Sequence, residues 1–262
     1  MDWFGQCLLV TEEYKRHESV IAELAGFYAE NGIRMMLLKG YGLSKYWPRP
    51  ELRPVGDIDV FLTNDDRLPA WKLGDELIAD KLGIEVDDGH EHHTTFSFKG
   101  VLVENHYDFI NTRAHSDAPR IEAKLKELAT VSNHTSDPGI ILPSADFNAI
   151  FLIRHLGQHF AGERVSLRQL LDWAFFLQGD GDKVNWDDVV PFLKQMKIWT
   201  FFLHVNAICI DMLGFAKLEE HEWYNAEEID KDLENRIFND IIDSYSFERK
   251  PDGGLVQVLA FK

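Results

Sequence analysis

Cysteine is scarce in this chain: two among 262 residues, Cys7 and Cys209, far apart in sequence. That excludes a disulfide framework and every paired-cysteine zinc spacing, and two reduced, partly buried thiols are expected. Basic residues are also few. Lys and Arg number 27 against 44 Asp and Glu, a formal charge of −17. So acidic a chain lacks the electropositive surface that non-specific nucleic-acid binding needs, and anionic membrane is disfavoured on the same ground. Long apolar runs are missing too. The stretch 201–210 is broken by His204 and Asn206, and none approaches the roughly 18 residues of a membrane span. The N-terminus, MDWFGQCLLVTEEYKRH, has an early acid and no basic lead-in. It does not read as a secretory signal, and a cytoplasmic protein is expected.

What is present is material for a core: 45% hydrophobic residues, with 18 Phe and 7 Trp, which rules out global disorder. His17, Val20, Ile21, Leu24, Phe27 and Tyr28 recur at helical spacing and predict a helix over 12–30, stopped by Asn31-Gly32. IRMMLLK (33–39) reads as a buried strand, KGYG (39–42) as a turn and 43–47 as a short helix. DIDVFL (57–62) reads as a second strand. A helix over 64–82 is expected, capped by Asn64. HTTFSF (93–98) and VLVENHYDF (101–109) alternate about Lys99-Gly100 and predict a hairpin. A modest helix over 118–130 and a loop at Asp137-Pro138-Gly139 follow. Beyond about residue 143 apolar residues recur only at helical spacing, over 145–161, 166–178, 187–198 and 200–213. Two domains are expected, 1–139 and 140–262, with a cleft between them. The segment 219–243 carries ten acids against Lys231 and Arg236 and reads as a solvated helical face. The apolar tail GGLVQVLAFK carries no stop signal and is compatible with a longer natural chain.

The chemistry concentrates in LLKGYGLSKYWPRPELRPVGDIDVFL, residues 37–62. On a strand, residues two apart share a face, so Asp57 and Asp59 project two carboxylates to one side while Ile58 points into a core. Close carboxylates repel, and a divalent cation relieves the repulsion. Oxygen donors of this kind suit Mg²⁺ or Mn²⁺ alongside substrate phosphates, and a metal pair can serve phosphoryl transfer. The bland alternative is a solvated strand end. In VLVENHYDF, Glu104, His106 and Asp108 share one strand face. Glu104 is the preferred third carboxylate, as metal ligand or general base, with Asp108 the competitor.

Lys39-Gly40, a short helix, and then Leu52-Arg53-Pro54-x-Gly56-Asp57-Ile58-Asp59 resemble the uncharacterised nucleotidyltransferase family of the polymerase-beta-like superfamily. Glu104-Asn105-His106-Tyr107 matches that family's later acid-x-His-aromatic strand. His155, His159 and Leu167-Arg168-Gln169-Leu170-Leu171-Asp172 resemble its helical segment. The match covers roughly residues 20–180. At the phosphate turn the wider superfamily carries Gly-Ser, whereas this chain has Lys39-Gly40-Tyr41-Gly42. No P-loop pattern occurs.

The resemblance implies an α+β fold: an N-terminal nucleotidyltransferase-type mixed sheet flanked by helices, followed by an all-helical C-terminal domain. It implies two-metal transfer of a nucleoside monophosphate from an NTP to an unidentified acceptor. Asp57, Asp59 and Glu104 would hold Mg²⁺ or Mn²⁺. Lys39, Gly40, Arg53 and Gly56 would bind nucleotide, Gly40 by letting the backbone approach phosphate. Arg53 would alternatively pair with a motif aspartate. Rival readings use the same residues: a toxin-like enzyme modifying protein or tRNA, a non-catalytic nucleotide binder, or a metal-dependent phosphohydrolase.

Several histidines stand apart. His90-Glu91-His92-His93 lacks the H-E-x-x-H spacing and reads as an exposed hairpin entry, with His93 near the site. His155 and His159 are four apart on a helix, a ligand spacing that helix packing explains more simply. Arg168 and Asp172 are spaced for an ion pair. His93, His106, His159, Arg168 and Asp172 are expected to line the cleft. The basic residues Arg34, Lys39, Lys45, Arg49 and Arg53 outnumber Glu51, Asp57 and Asp59 over 31–60. The acidic average therefore leaves room for a small anionic nucleotide at one locally basic turn.

Overall fold

The computed structural model describes residues 3–64, 66–134, 139–162 and 165–243. It is α+β, a mixed sheet flanked by helices with a helical C-terminal region. Asp137-Pro138 and the tail GGLVQVLAFK lie outside the described residues. The chain divides between Phe147 and Asn148 into two compact units.

The first unit opens with α1 (Trp3–Ala29). Its first nine residues extend the predicted helix toward the N-terminus. Leu8 and Leu9 remain 49% and 48% exposed, so no one-sided apolar pattern marks that stretch. β1 (Ile33–Leu37) follows Asn31-Gly32 and is buried except for Arg34. After the single turn α2 (Tyr41–Ser44) come β2 (Ile58–Asn64) and α3 (Trp71–Leu82). The helix expected from residue 64 thus begins at 71. Asn64 ends β2: its Oδ1 accepts the Leu68 N–H and its own N–H donates to the Leu68 carbonyl, both at 2.9 Å. An asparagine closing a loop on its own backbone is not capping a helix.

β3 (His93–Phe98) and β4 (Val101–His106) form the predicted hairpin. Lys99 and Gly100 turn it at φ +50° and +74°, the pair of positive φ values that matches strand twist in a two-residue hairpin. β4 stops at His106, short of the predicted 109, because the His92 carbonyl accepts the N–H groups of both Tyr107 and Asp108. Past α4 (Ala118–Ala129), the sequence marks only a loop, yet β5 (Ser132–His134) and β6 (Ile140–Pro143) complete the sheet. Strands of three and four residues are too short for alternation to show. β6 is placed by parallel pairing with β1, Met35 opposite Ile140.

The strand order is β3-β4-β2-β1-β6-β5. β1 and β2 are antiparallel, while β2 and β4 are parallel. Helices α1 and α3 cover one face, in a core joining Leu24, Tyr28, Met35, Ile78, Val60, Leu62 and Val103. Ile58 and Val60 point into that core, so Asp59 between them points to the opposite face.

In the second unit the chain is helical: α5 (Ala145–Gly162), which begins just before the division, then α6 (Leu167–Asp180), α7 (Trp186–Gln195), α8 (Trp199–Asp211) and α9 (Lys231–Asp243). Each of the first four lies within a few residues of its predicted span. α6 starts on a capping box in which Ser166 and Gln169 bond reciprocally. α8 is buried from Phe201 through Ile210. Within the acidic 219–243 stretch, α9 turns Ile237 and Ile241 inward at 1% exposure each. No helix among the described residues is long and apolar enough to cross a membrane. Cys7 and Cys209 are free thiols, the second buried.

Candidate active site

The parallel register of β2 and β4 sets Asp59 directly beside Glu104. The antiparallel register of β3 and β4 sets His93 opposite His106. These four residues therefore share one sheet face, away from α1 and α3. Asp57 stands one residue before β2 and is exposed, whereas Asp59 is buried at 4% exposure.

Lys39 enters from the other side of β2. β1 ends at Leu37, and the Leu38 N–H donates to the Asp59 carbonyl at 3.1 Å. The chain then turns, the Gly42 N–H donating to the Lys39 carbonyl at 2.9 Å. Gly40 sits in this turn at φ +54°, ψ −116°, a conformation that only glycine adopts readily. A Cβ there would lie 3.5 Å from the Asp57 carbonyl oxygen, so the turn also packs closely on the strand entry. Its outcome is that Lys39 Nζ reaches Asp59 Oδ1 at 2.7 Å.

His106 Nε2 lies 3.1 Å from the same Oδ1 and 3.4 Å from Glu104 Oε2. His106 thus faces Asp59 and Glu104, and Lys39 feels both of these and Asp57. Burial penalises the Asp59 carboxylate, but Lys39 and His106 outweigh it and hold the pKa well below the ordinary range. Burial likewise pulls Lys39 and His106 down, and their carboxylate partners pull both above their ordinary values. Asp57 moves the other way. Although the residue as a whole is exposed, desolvation of its carboxyl and then the charges of Asp59 and Glu104 raise its pKa against the pull of Lys39. Asp59, Glu104 and His106 offer ligand atoms within 4.8 Å of one another, a donor set able to hold a divalent ion.

Helix α1 braces both loops. Tyr14 stacks on Tyr41 with ring centroids 5.1 Å apart, and Tyr41 donates to Glu18 at 2.8 Å. Buried His17 places Nε2 2.6 Å from the Gly56 carbonyl, next to Asp57. Arg53 is buried at 4% exposure, and its guanidinium donates to the Pro54 carbonyl at 3.0 Å. Asp108 lies beyond β4 and pairs with Lys126.

A family model described as an uncharacterised nucleotidyltransferase matches residues 1–214. The chain belongs to that nucleotidyltransferase family. No curated protein and no solved structure matches the chain.

In this nucleotidyltransferase-family chain, Lys39, Asp57, Asp59, Glu104, His93 and His106 gather at one end of the sheet, with Gly40 and Gly56 in the adjoining loops. His159, Arg168 and Asp172 belong to the helical unit. His159 Nε2 lies 3.0 Å from His155 Nε2, Arg168 is exposed, and Asp172 is buried at 5% exposure. Two residues near the site escaped the sequence reading. His17 is a polar residue on the apolar side of α1, and that position was its signal. His92 reads in the sequence as part of an exposed hairpin entry, yet it is half-buried, its ring 5.6 Å from that of His106.

Proposed function

We propose that this chain is a metal-dependent nucleotidyltransferase that moves a nucleoside monophosphate from an NTP to an acceptor in the cytoplasm. The observation that carries the reading is the crowding of negative charge at the entry to β2. Asp59 registers directly beside Glu104, their donor atoms lie with one of His106 within 4.8 Å of one another, and burial first, then the charges of Asp59 and Glu104, raise the Asp57 pKa against the pull of Lys39. Carboxylates in that state fit a hard divalent cation, Mg²⁺ or Mn²⁺, and these three residues would hold it. When bound, such ions stabilise the entering and leaving oxygens of the transfer.

The chain's own groups supply the rest. Lys39 exchanges Asp59 for triphosphate oxygens. Gly40 admits the phosphate chain to the backbone. Arg53, being buried, holds the loop into β2, and the Gly56 carbonyl, held by His17, fixes the approach to Asp57. An acceptor oxygen bonds to the α-phosphorus, the α–β phosphoanhydride bond breaks, and pyrophosphate leaves with the electron pair. Glu104 either completes the metal set or takes the acceptor's proton.

Calorimetry with a non-hydrolysable NTP analogue and Mg²⁺ tests this. Asp57→Ala/Asp59→Ala should weaken binding by at least about tenfold. Equal Mg²⁺-dependent binding by wild type and variant would sink the assignment. One observation favours a second reading, nucleotide binding without turnover: Asp59 Oδ1 is already engaged by Lys39 and His106. Nucleotide binding with no pyrophosphate release, whether small molecules, protein or RNA are offered as acceptor, would select it.

A further inference from the structure

Beside the carboxylates, three imidazoles converge. His93 opens β3 opposite His106, and His92 hooks over the end of β4 through its carbonyl. One ring nitrogen from each of His92, His93 and His106 lies within 4.8 Å of the other two. The ring centroids are 4.5 Å apart for His92–His93, 5.2 Å for His93–His106 and 5.6 Å for His92–His106. Three imidazoles bound at about 2.1 Å to one ion, at angles near 90–110°, stand about 4.5–5.3 Å apart by centroid. The observed triangle is already close to that size.

The nitrogens themselves point the same way. Nδ1 of His92 and Nδ1 of His93 are buried with no hydrogen-bond partner. Such orphaned nitrogens are uncommon and call for a ligand or water. His106 completes the set, its Nε2 3.1 Å from Asp59 Oδ1 and its Nδ1 3.3 Å from the Asp108 carbonyl oxygen.

We propose that His92, His93 and His106 form a binding site for one divalent transition-metal ion of the Zn²⁺, Co²⁺ or Ni²⁺ class. Three nitrogen donors suit those ions, whereas Mg²⁺ keeps to oxygen. The ion would pin the hairpin entry to the end of β4. The site does not depend on nucleotidyl transfer, and its test reads metal alone.

The probe is Co²⁺, titrated into the metal-free full chain and followed by visible absorption. One Co²⁺ per chain is expected with the spectrum of a nitrogen-ligated ion. His92→Ala/His93→Ala should weaken it by at least about tenfold, and His159→Ala, in the helical unit, should leave it nearly unchanged. Equal affinity in the double-histidine variant, or equal weakening by His159→Ala, overturns the proposal. Should the double variant not fold by circular dichroism, Cu²⁺-loaded wild type decides by electron paramagnetic resonance. Nitrogen couplings from three imidazoles support the site, and an oxygen-only environment refutes it. Failure of the transferase reading alone would leave these results untouched.

Discussion

Two buried polar regions of this protein are built on opposite plans. In α8, Asn206 accepts from Trp173 Nε1 at 3.1 Å and donates to the Phe202 carbonyl at 2.7 Å. His204 places Nδ1 2.7 Å from the Thr200 carbonyl and accepts the Asp230 N–H on Nε2 at 3.1 Å. Asn206 and His204 thus each have their complement. At the end of the sheet, Asp57, Asp59 and Glu104 crowd around Lys39, and two histidine nitrogens lack a partner. Folding alone favours the first plan, since an unsatisfied or self-repelling buried group is destabilising. The second plan is the mark of a place where something binds or reacts.

The sharpest way to break this contrast is to remove one member of each region. Asp59→Ala strands Lys39 and the buried His106 and should destabilise the fold by about 3 kcal/mol in urea unfolding, as removal of one partner from a buried pair does. Adding Lys39→Met to Asp59→Ala should restore part of the loss. Asn206→Ala strands one Trp173 N–H and should cost about 1–3 kcal/mol, with NTP-analogue affinity unchanged. If Asp59→Ala is stabilising, the charge cluster is more frustrated than paired, and the contrast deepens. If Asn206→Ala alters nucleotide binding, the contrast fails.

The remaining effect is in pH. A histidine whose folded pKa is lowered stays neutral in the folded state while the unfolded chain takes up its proton. Stability is then lost as pH falls from the ordinary value of 6.5 toward about 4, the value to which His92 is lowered. Measured in chelator, the urea midpoint of wild type relative to His92→Asn should fall across that window and stay level above it. His106, held above its ordinary value, acts in the opposite sense: its contribution is complete below pH 6.5 and fades as pH rises through its folded pKa. The two histidines of one cluster thus tilt the pH profile in opposite directions, and the variant separates them.

How much of this was legible beforehand follows the range of each interaction. The hairpin was readable because alternation and Lys99-Gly100 are local. The helices of the second unit were readable because their apolar period repeats over many residues. Strand alternation reads Asp57 and Asp59 as sharing one side, but β2 begins only at Ile58, which leaves Asp57 exposed in the entry loop and Asp59 buried. The rest depends on distant partners. β6 is a strand because β1 offers it an edge. Asn64 closes a loop through Leu68 rather than opening a helix. The Lys39 contact requires β1 and β2 to be antiparallel, and the imidazole triangle requires His93 to register against His106.

The sheet order also has a consequence for the order of assembly. β1, β2 and β4, which carry the acid cluster, all lie before residue 107, whereas β6 reaches β1 only after residue 139. During synthesis the charged end of the sheet can close while one edge of β1 still waits for its partner. That edge is a strand margin open to mispairing until the last strands arrive. In refolding, the Leu38 amide, bonded to the Asp59 carbonyl, should gain exchange protection before the Met35 amide, bonded to the Gly139 carbonyl. Simultaneous protection of the two amides would show instead that the sheet closes in one step.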